Sequence, residues 1–328
     1  MTEIERRLEK IYSQTTKTER AEIDRAAKLI KEGKLVAFPT ETVYGLGANA
    51  LDADAVRKIY EAKGRPSDNP LILHVASVEM AEKIVELNGA ARALIEKVWP
   101  GPLTLVLPAK EIVPLTTRGG LETAAVRMPD NRTALELIRA ANLPISAPSA
   151  NKSGRPSPTD AQTVREDLGD AVAQVLDGGA TKIGVESTVI DMTQGNPILL
   201  RAGGLPKEEI EEILGTEVLL PQDKNTAKRS PGTRYRHYAP KIPLLLAKAK
   251  DAEKLAEGKK FAWMGTSKSS GKPIETLVFE NETEYAHEVF RALRRLENSG
   301  AEIIIAETPP EKGIGLAIKD RLNRASGD

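Results

Sequence analysis

Residues 34–75 read KLVAFPTETVYGLGANALDADAVRKIYEAKGRPSDNPLILHV. The apolar runs Leu35–Phe38 and Leu71–Val75 open and close the stretch, each bounded by Pro or Gly. Short apolar runs with such boundaries predict buried strands. Between them, Pro39, Thr40, Glu41 and Thr42 set two hydroxyls and a carboxylate just past a strand end, and Gly45 and Gly47 let the backbone turn or approach a ligand. This combination reads as a pocket rim. Asp52 is a fit N-cap for a helix whose apolar stripe is Ala55, Val56, Ile59 and Tyr60, and which stops at Lys63-Gly64-Arg65-Pro66. Two cations are thereby placed in a Pro-stiffened loop. Basic residues also occur at helix ends for reasons of the helix dipole alone.

Moving outward, the periodicity alternates between helix and strand. Helices are expected around Ile23–Ile30, Ser77–Val85, Ala90–Val98, after Asp130, after Asp160 and over Pro206–Leu214. Strands are expected at Leu103–Leu107, at 123–127, after Pro144, and at Val172–Leu176, Ser187–Asp191 and Ile198–Arg201. This alternation predicts an α/β sheet with helices on at least one face. Along the strand at 123–127, Thr123, Ala125 and Arg127 share a face, which puts an arginine among small residues. Residues 146–159, SAPSANKSGRPSPT, hold five hydroxyl residues, two cations and three prolines. Such composition reads either as a surface loop or as a loop whose donors approach phosphate closely.

Residues 216–241 break the composition. They lack periodicity and interleave Lys228, Arg229, Arg234, Arg236 and Lys241 with Tyr235, His237 and Tyr238. Two readings stand, a flexible basic linker or a segment serving a site. Beyond it, strands at 243–247, 260–264, 276–279 and 301–306, with helices at about 251–257, 283–298 and 314–325, predict a smaller Rossmann-like α/β unit. The expected division is therefore 19–215, a linker at 216–241, and 242–328.

Composition narrows the classes. Lys plus Arg and Asp plus Glu are 47 each, so a stable non-specific polyanion binder is disfavoured. The chain has no cysteine, which removes disulfides and thiolate metal sites. The start MTEIERRLEK lacks an apolar signal-like region and no apolar run approaches the roughly 18 residues of a span, so a cytoplasmic protein without membrane attachment is expected. Gly45–Ala50 fits a dinucleotide fingerprint in poor context, 265–273 misses a P-loop in spacing, and His287-Glu288 lacks the second histidine of a zincin helix.

Taken together, PTETVYGLG (39–47), KGRPSDNPLILH (63–74), WPGPLTLVL (99–107), VRMP (126–129), SAPSANKSGRPSPT (146–159), ESTVID (186–191), LLRAGG (199–204) and SPGTRYRHYAP (230–240) resemble the YrdC-like family in its long, two-domain form, the threonylcarbamoyl-AMP synthases. The match spans about 19–328. The resemblance implies a twisted mixed sheet with flanking helices for the first domain. It implies a reaction of L-threonine, bicarbonate or carbon dioxide, and ATP to L-threonylcarbamoyl-AMP and pyrophosphate, with Mg2+ on the triphosphate and no protein ligand assigned to it. The product would pass to a threonylcarbamoyl transferase complex that modifies adenosine in tRNA.

Carried over by position, the resemblance implies threonine-side contacts at Thr42, His74, Arg127, Ala147 and Ser187. It implies ATP-side contacts at Lys63, Arg65, Asn69, Thr123, Ser149, Ser157, Arg201 and Tyr235, with Asn151 and Thr40 as further candidates. Lys63 and Arg65 are the expected catalytic cations, Arg127 the bidentate partner of the amino-acid carboxylate, and the linker is expected to fold over the site. Two alternatives remain open: an RNA-binding module of the same pathway, or a carbamoyl-transfer enzyme carrying such a domain. Zero net charge opposes the first, and the missing cysteines of a zinc module oppose the second.

Overall fold

The computed structural model describes residues 3–12, 16–221 and 237–327. Two helices, α1 (Glu3–Tyr12) and α2 (Lys17–Lys31), precede the strands β1 (Val36–Phe38) and β2 (Gly45–Asn49). Then come α3 (Ala53–Lys63), β3 (Ile72–His74), α4 (Val78–Glu82), α5 (Gly89–Val98), β4 (Leu103–Pro108), α6 (Leu115–Arg118) and β5 (Thr123–Arg127). The first unit continues with α7 (Arg132–Ala141), β6 (Ile145–Ser146), α8 (Ala161–Leu168), β7 (Gln174–Val175), β8 (Thr188–Asp191), β9 (Ile198–Arg201) and α9 (Lys207–Leu214). The second unit comprises β10 (Leu244–Ala247), α10 (Ala252–Ala256), β11 (Phe261–Gly265), β12 (Glu275–Val278), α11 (Glu282–Leu296), β13 (Ile303–Glu307) and α12 (Gly313–Ser326).

Among the described residues, the first unit forms a nine-stranded sheet ordered β7-β1-β2-β6-β3-β5-β4-β8-β9. It is mixed: β3 pairs β5 in parallel, while β1–β2, β2–β6 and β4–β5 are antiparallel. The second unit has an all-parallel sheet ordered β10-β13-β11-β12. The expected architecture, a large mixed sheet with helices followed by a smaller parallel α/β unit, is what the chain adopts.

Strand alternation divides the large sheet into two apolar layers. Val36, Phe38, Leu73, Leu105, Val126 and Ile190 pack with α2, α5, α7 and α9 on one face. Ala37, Leu46 and Ala48 pack with α3 and α8 on part of the other. The remainder of that second face carries Ile72, Val106, Ala125 and Val189 in a small cluster. The same face holds His74 and Arg127, paired in register across β3 and β5. Polar chemistry therefore sits in a gap between helical layers.

Some local expectations change. Gly45 and Gly47 do not turn; both lie in β2, and glycine is needed at 47 because a Cβ there would stand 2.7 Å from the Phe38 ring and 2.9 Å from Ile145 Cγ2. The cap of α7 is Asn131, whose Oδ1 accepts from Ala134 N at 3.1 Å, and not Asp130. α6, absent from the periodicity reading, is one short turn ending at Gly119. The loop at 146–159 is no surface loop: most of it is buried, with Leu46 N donating to Pro148 O and Ala150 N to Tyr44 O, both at 2.8 Å. The start of the expected linker runs beside β9, where Leu199 N donates to Leu219 O at 2.8 Å.

The two units share a core. Val43 and Val185 of the first pack with Phe290, Leu293 and Leu322 of the second and with Tyr238, which precedes it. Gly184, at φ 85°, lets its backbone pass where a Cβ would lie 2.3 Å from His287 O. Around this contact Arg294 grips Asp167, with Nη2 to Oδ2 at 2.6 Å, and Arg155 pairs with Glu297. Gly184→Ala is therefore expected to lower stability by at least about 1–3 kcal/mol through collision and backbone strain. Urea unfolding checks this; an unchanged midpoint contradicts the close approach.

Candidate active site

The pocket lies on the second face, where several strand ends converge. Thr40 and Thr42 come from the β1–β2 connection, His74 and Arg127 from the ends of β3 and β5, and Arg201 from the end of β9. Ala147, Ser149 and Asn151 follow β6; Glu186 and Ser187 precede β8; His237 and Tyr238 close one side. Thr40 Oγ1 caps its own turn by donating to Val43 O at 2.6 Å.

Arg65 is the least compensated charge. Asp52 starts α3 and left-handed Gly64 ends it, and Arg65, the next residue, lines the pocket. Its Nη2 donates to Pro70 O at 3.1 Å and its Nε finds no partner. Among the described residues no carboxylate pairs with it. Burial pulls its pKa down to about 10. Lys63, the last residue of α3, is buried behind the pocket wall, its Nζ donating to Ser149 O at 2.5 Å and to Asn151 O. Burial, and then Arg65, hold that ammonium well below its ordinary pKa. Buried cations facing only neutral dipoles favour an anionic ligand.

Arg201 donates from Nε and Nη2 to Ser187 O, at 3.1 and 2.9 Å, and from Nη2 to Ser187 Oγ. Ser187 Oγ also shares a 2.7 Å bond with Thr104 Oγ1, so the hydroxyl is held between an arginine and a threonine and not by an imidazole base. Arg127 donates to Gly101 O (3.3 Å) and Thr42 Oγ1 (3.0 Å), and its Nη2 lies 2.6 Å from Glu41 Oε2. A guanidinium has five N–H groups, so both terminal nitrogens retain one for a ligand. Beside it the buried His74 Nδ1 has no partner. Burial, then the Arg127 charge, depress that imidazole to about 3, which keeps it neutral.

Of the sequence candidates, Thr40, Thr42, Arg65, His74, Arg127, Ala147, Ser149, Asn151, Ser187 and Arg201 line one pocket. Lys63 stands behind it. Ser157 also sits behind the lining, donating from Oγ to Glu186 Oε1 at 2.6 Å. Asn69 is buried, with its carbonyl accepting from Tyr60 Oη at 3.2 Å. Thr123 begins β5 opposite Pro108, outside the lining. Tyr235, with Lys228, Arg229, Arg234 and Arg236, lies outside the described residues.

Sequence reasoning missed Glu186 as a pocket residue, although ESTVID contains it, whereas His237 and Tyr238 of the expected site-serving segment do line the pocket. Burial raises the Glu186 pKa, but Arg321 and Arg201 outweigh it and hold the carboxyl at about 2. Burial, then Glu186, push Tyr238 up to about 12. His287, set aside as a metal ligand, turns its Nε2 to Thr181 O at 2.8 Å across the unit boundary.

The arrangement combines a buried cationic surface, hydroxyl and backbone donors, and an arginine–histidine corner. It suits joining an amino acid to a polyanion by positioning and charge. Residues 28–203 match the family model Sua5_yciO_yrdC, described as "Telomere recombination", and residues 205–327 match Sua5_C, described as "Threonylcarbamoyl-AMP synthase, C-terminal domain". The chain belongs to this two-domain Sua5/YrdC family. The threonylcarbamoyl-AMP synthase of Pyrococcus abyssi is 50% identical over 323 residues, covering 92% of this chain and 93% of that one. That of Bacillus subtilis is 45% identical over 327 residues, covering 93% of each. The crystal structure of P. abyssi Sua5 complexed with L-threonine superposes with a TM-score of 0.88 at 48% identity, covering 94% of this chain and 95% of that one.

His74 and His237 carry a pH signature. Both imidazoles sit at about 3 when folded against an ordinary 6.5; for His237 the causes are burial, then Arg65. The unfolded chain therefore takes up their protons first as pH falls. Their stability contribution is intact above about pH 6.5 and is lost as pH drops toward 3, at up to about 1.4 kcal/mol per pH unit for each. Urea unfolding across this window is expected to show the slope, and His74→Asn to flatten it; an unaltered slope would mean the imidazole is not held neutral.

Proposed function

We propose that this pocket carboxylates L-threonine on its amine, with bicarbonate and loss of water or with carbon dioxide and loss of a proton, and joins the carbamate to ATP, giving L-threonylcarbamoyl-AMP and pyrophosphate. A carbamate oxygen attacks the α-phosphorus and pyrophosphate leaves. Carbamate and triphosphate are both anionic, so their approach needs positive charge more than a covalent nucleophile. The observation that supports this best is Arg65, buried without a carboxylate partner beside Lys63 and facing Arg201, in a chain half identical to a synthase.

In this reading, Arg127, Thr42, His74, Ala147 and Ser187 hold the threonine side. Arg127 offers its two remaining terminal N–H groups to the amino-acid carboxylate, and neutral His74 accepts or donates without adding charge. Lys63, Arg65, Asn69, Thr123, Ser149, Asn151, Ser157, Arg201 and Tyr235 are assigned to the ATP side. Lys63 and Arg65 take the charge that grows between carbamate and phosphates; Lys63 also fixes the Ser149 and Asn151 carbonyls.

Among the described residues no group of three or more His, Asp or Glu is placed to hold a metal ion. The carboxylate of the lining, Glu186, is engaged by Arg321, and Glu41, outside the lining, by Arg127. The residues thus fit a magnesium ion carried on ATP by phosphate oxygens and water, where it would offset triphosphate charge. The product is consumed by a tRNA-modifying transferase in the cytoplasm. No helix among the described residues is long and apolar enough to cross a membrane.

Pyrophosphate release is expected to require ATP, L-threonine and bicarbonate together; release indifferent to threonine would end this reading. Lys63→Ala and Arg65→Ala are each expected to lower turnover at least about a hundredfold, on the scale of losing one preorganised donor. Arg127→Lys is expected to raise the threonine KM about tenfold or more while leaving the ATP KM within about threefold, because an ammonium cannot reproduce the fork. Near-wild-type constants would remove these residues from the assignment.

A further inference from the structure

Arg321 comes from α12 in the second unit, yet its guanidinium ends next to the pocket. It is fully buried. Nε donates to Glu186 Oε2 at 2.6 Å, Nη2 to Ala202 O at 2.9 Å, and Nη1 reaches the Asp320 carboxylate. The guanidinium lies 5.5 Å from the Tyr238 ring centroid. Glu186 completes a relay: Oε2 meets Arg321 while Oε1 accepts the Ser157 hydroxyl at 2.6 Å. None of residues 242–327 lines the pocket. The second unit reaches the site through Glu186 and through the loop beside it, where Arg294 Nη2 donates to Pro156 O at 2.6 Å.

Glu186 is otherwise ill placed. It is a carboxylate lining the side of the pocket that holds Arg201, with Ser157 behind it, and it would repel a triphosphate there. We propose that Arg321 is a positioning residue for ATP: it neutralises Glu186 and fixes it against Ser157, so that the phosphate side of the pocket is cationic only while the second unit is docked. This rests on the synthase reading for the identity of the anion. Its physical content is narrower, a charge supplied from a second unit to a pocket it does not line. The docked unit thereby sets ATP affinity without touching ATP.

The test uses the full chain with Arg321→Met, Glu186→Gln and the double variant, each checked for a folded far-UV spectrum. ATP binding is read by calorimetry and turnover by pyrophosphate release. Arg321→Met is expected to weaken ATP binding about tenfold or more, with kcat at saturating ATP changed less than about threefold. The double variant is expected to recover ATP affinity to within about threefold of the parent, because the unpaired carboxylate is gone. Glu186→Gln alone is expected to bind ATP at least as tightly as the parent. Undiminished affinity in Arg321→Met overturns the proposal. A double variant no better than Arg321→Met also overturns it, since a merely structural role would not be rescued. If Arg321→Met fails to fold, Glu186→Gln decides: weaker ATP binding refutes the proposal, equal or tighter binding supports it. A parent chain that binds ATP but releases no pyrophosphate would defeat the synthase reading while leaving this test intact.

Discussion

The constraint on which the pocket depends is positive charge held out of water with too little negative charge beside it. Arg65 and Lys63 lean on backbone carbonyls. Neutral dipoles return only part of the solvation a guanidinium or ammonium loses on burial. The protein tolerates this because α3, the sheet and the loop at 146–159 over-determine where those side chains lie. An anion entering the pocket regains what folding withheld, and this is how a site favours a charged transition state without a nucleophile. The carboxylates present obey the same logic. Glu41 is spent on Arg127 and Glu186 on Arg321, so neither subtracts from the field an incoming phosphate meets.

The mixed sheet makes this arrangement possible. Parallel pairing of β3 with β5 brings His74 and Arg127 side by side at the same end of adjacent strands. Antiparallel pairing of β1 with β2 returns the chain so that Thr40 and Thr42 project from the connection above them. Helices α2, α5, α7 and α9 cover one face of the sheet and α3 and α8 part of the other, and the second unit packs against Val43 and Val185. Two glycines permit close packing: Gly47 admits the Phe38 ring from the neighbouring strand, and Gly184 admits the backbone of α11. Arg155, Arg294 and Arg321 then tie the units together at the edges of the loop that borders the pocket.

Much of this was legible in the residues. The apolar runs flanking PTETVYGLG marked β1 and β3, Asp52 and Gly64 marked the two ends of α3, and alternation put Arg127 on the face of Ala125. Of the two readings of Gly45 and Gly47 the turn fails, because a glycine inside a strand and a glycine in a turn look alike without the partner strand, while Gly45 does line the pocket. Glu186 is not legible in the sequence because a lone carboxylate has no local pattern. The loop at 146–159 carried two readings until its backbone bonds to Tyr44 and Leu46 were seen. Composition records what a segment is made of, not what lies against it.

Local chemistry is encoded locally: strand and helix propensity, caps, prolines and the types of donor available were all set by the order of residues, and with them the two α/β units and the cationic character of the site. Only the tertiary structure decided which charges meet. Lys63 and Asn151, Arg127 and Glu41, and Arg321 and Glu186 are separated by tens of residues or more than a hundred, and each pairing exists only because strand register and domain docking bring them within reach. Electrostatic energy depends on distance and burial, and neither is a property of sequence separation.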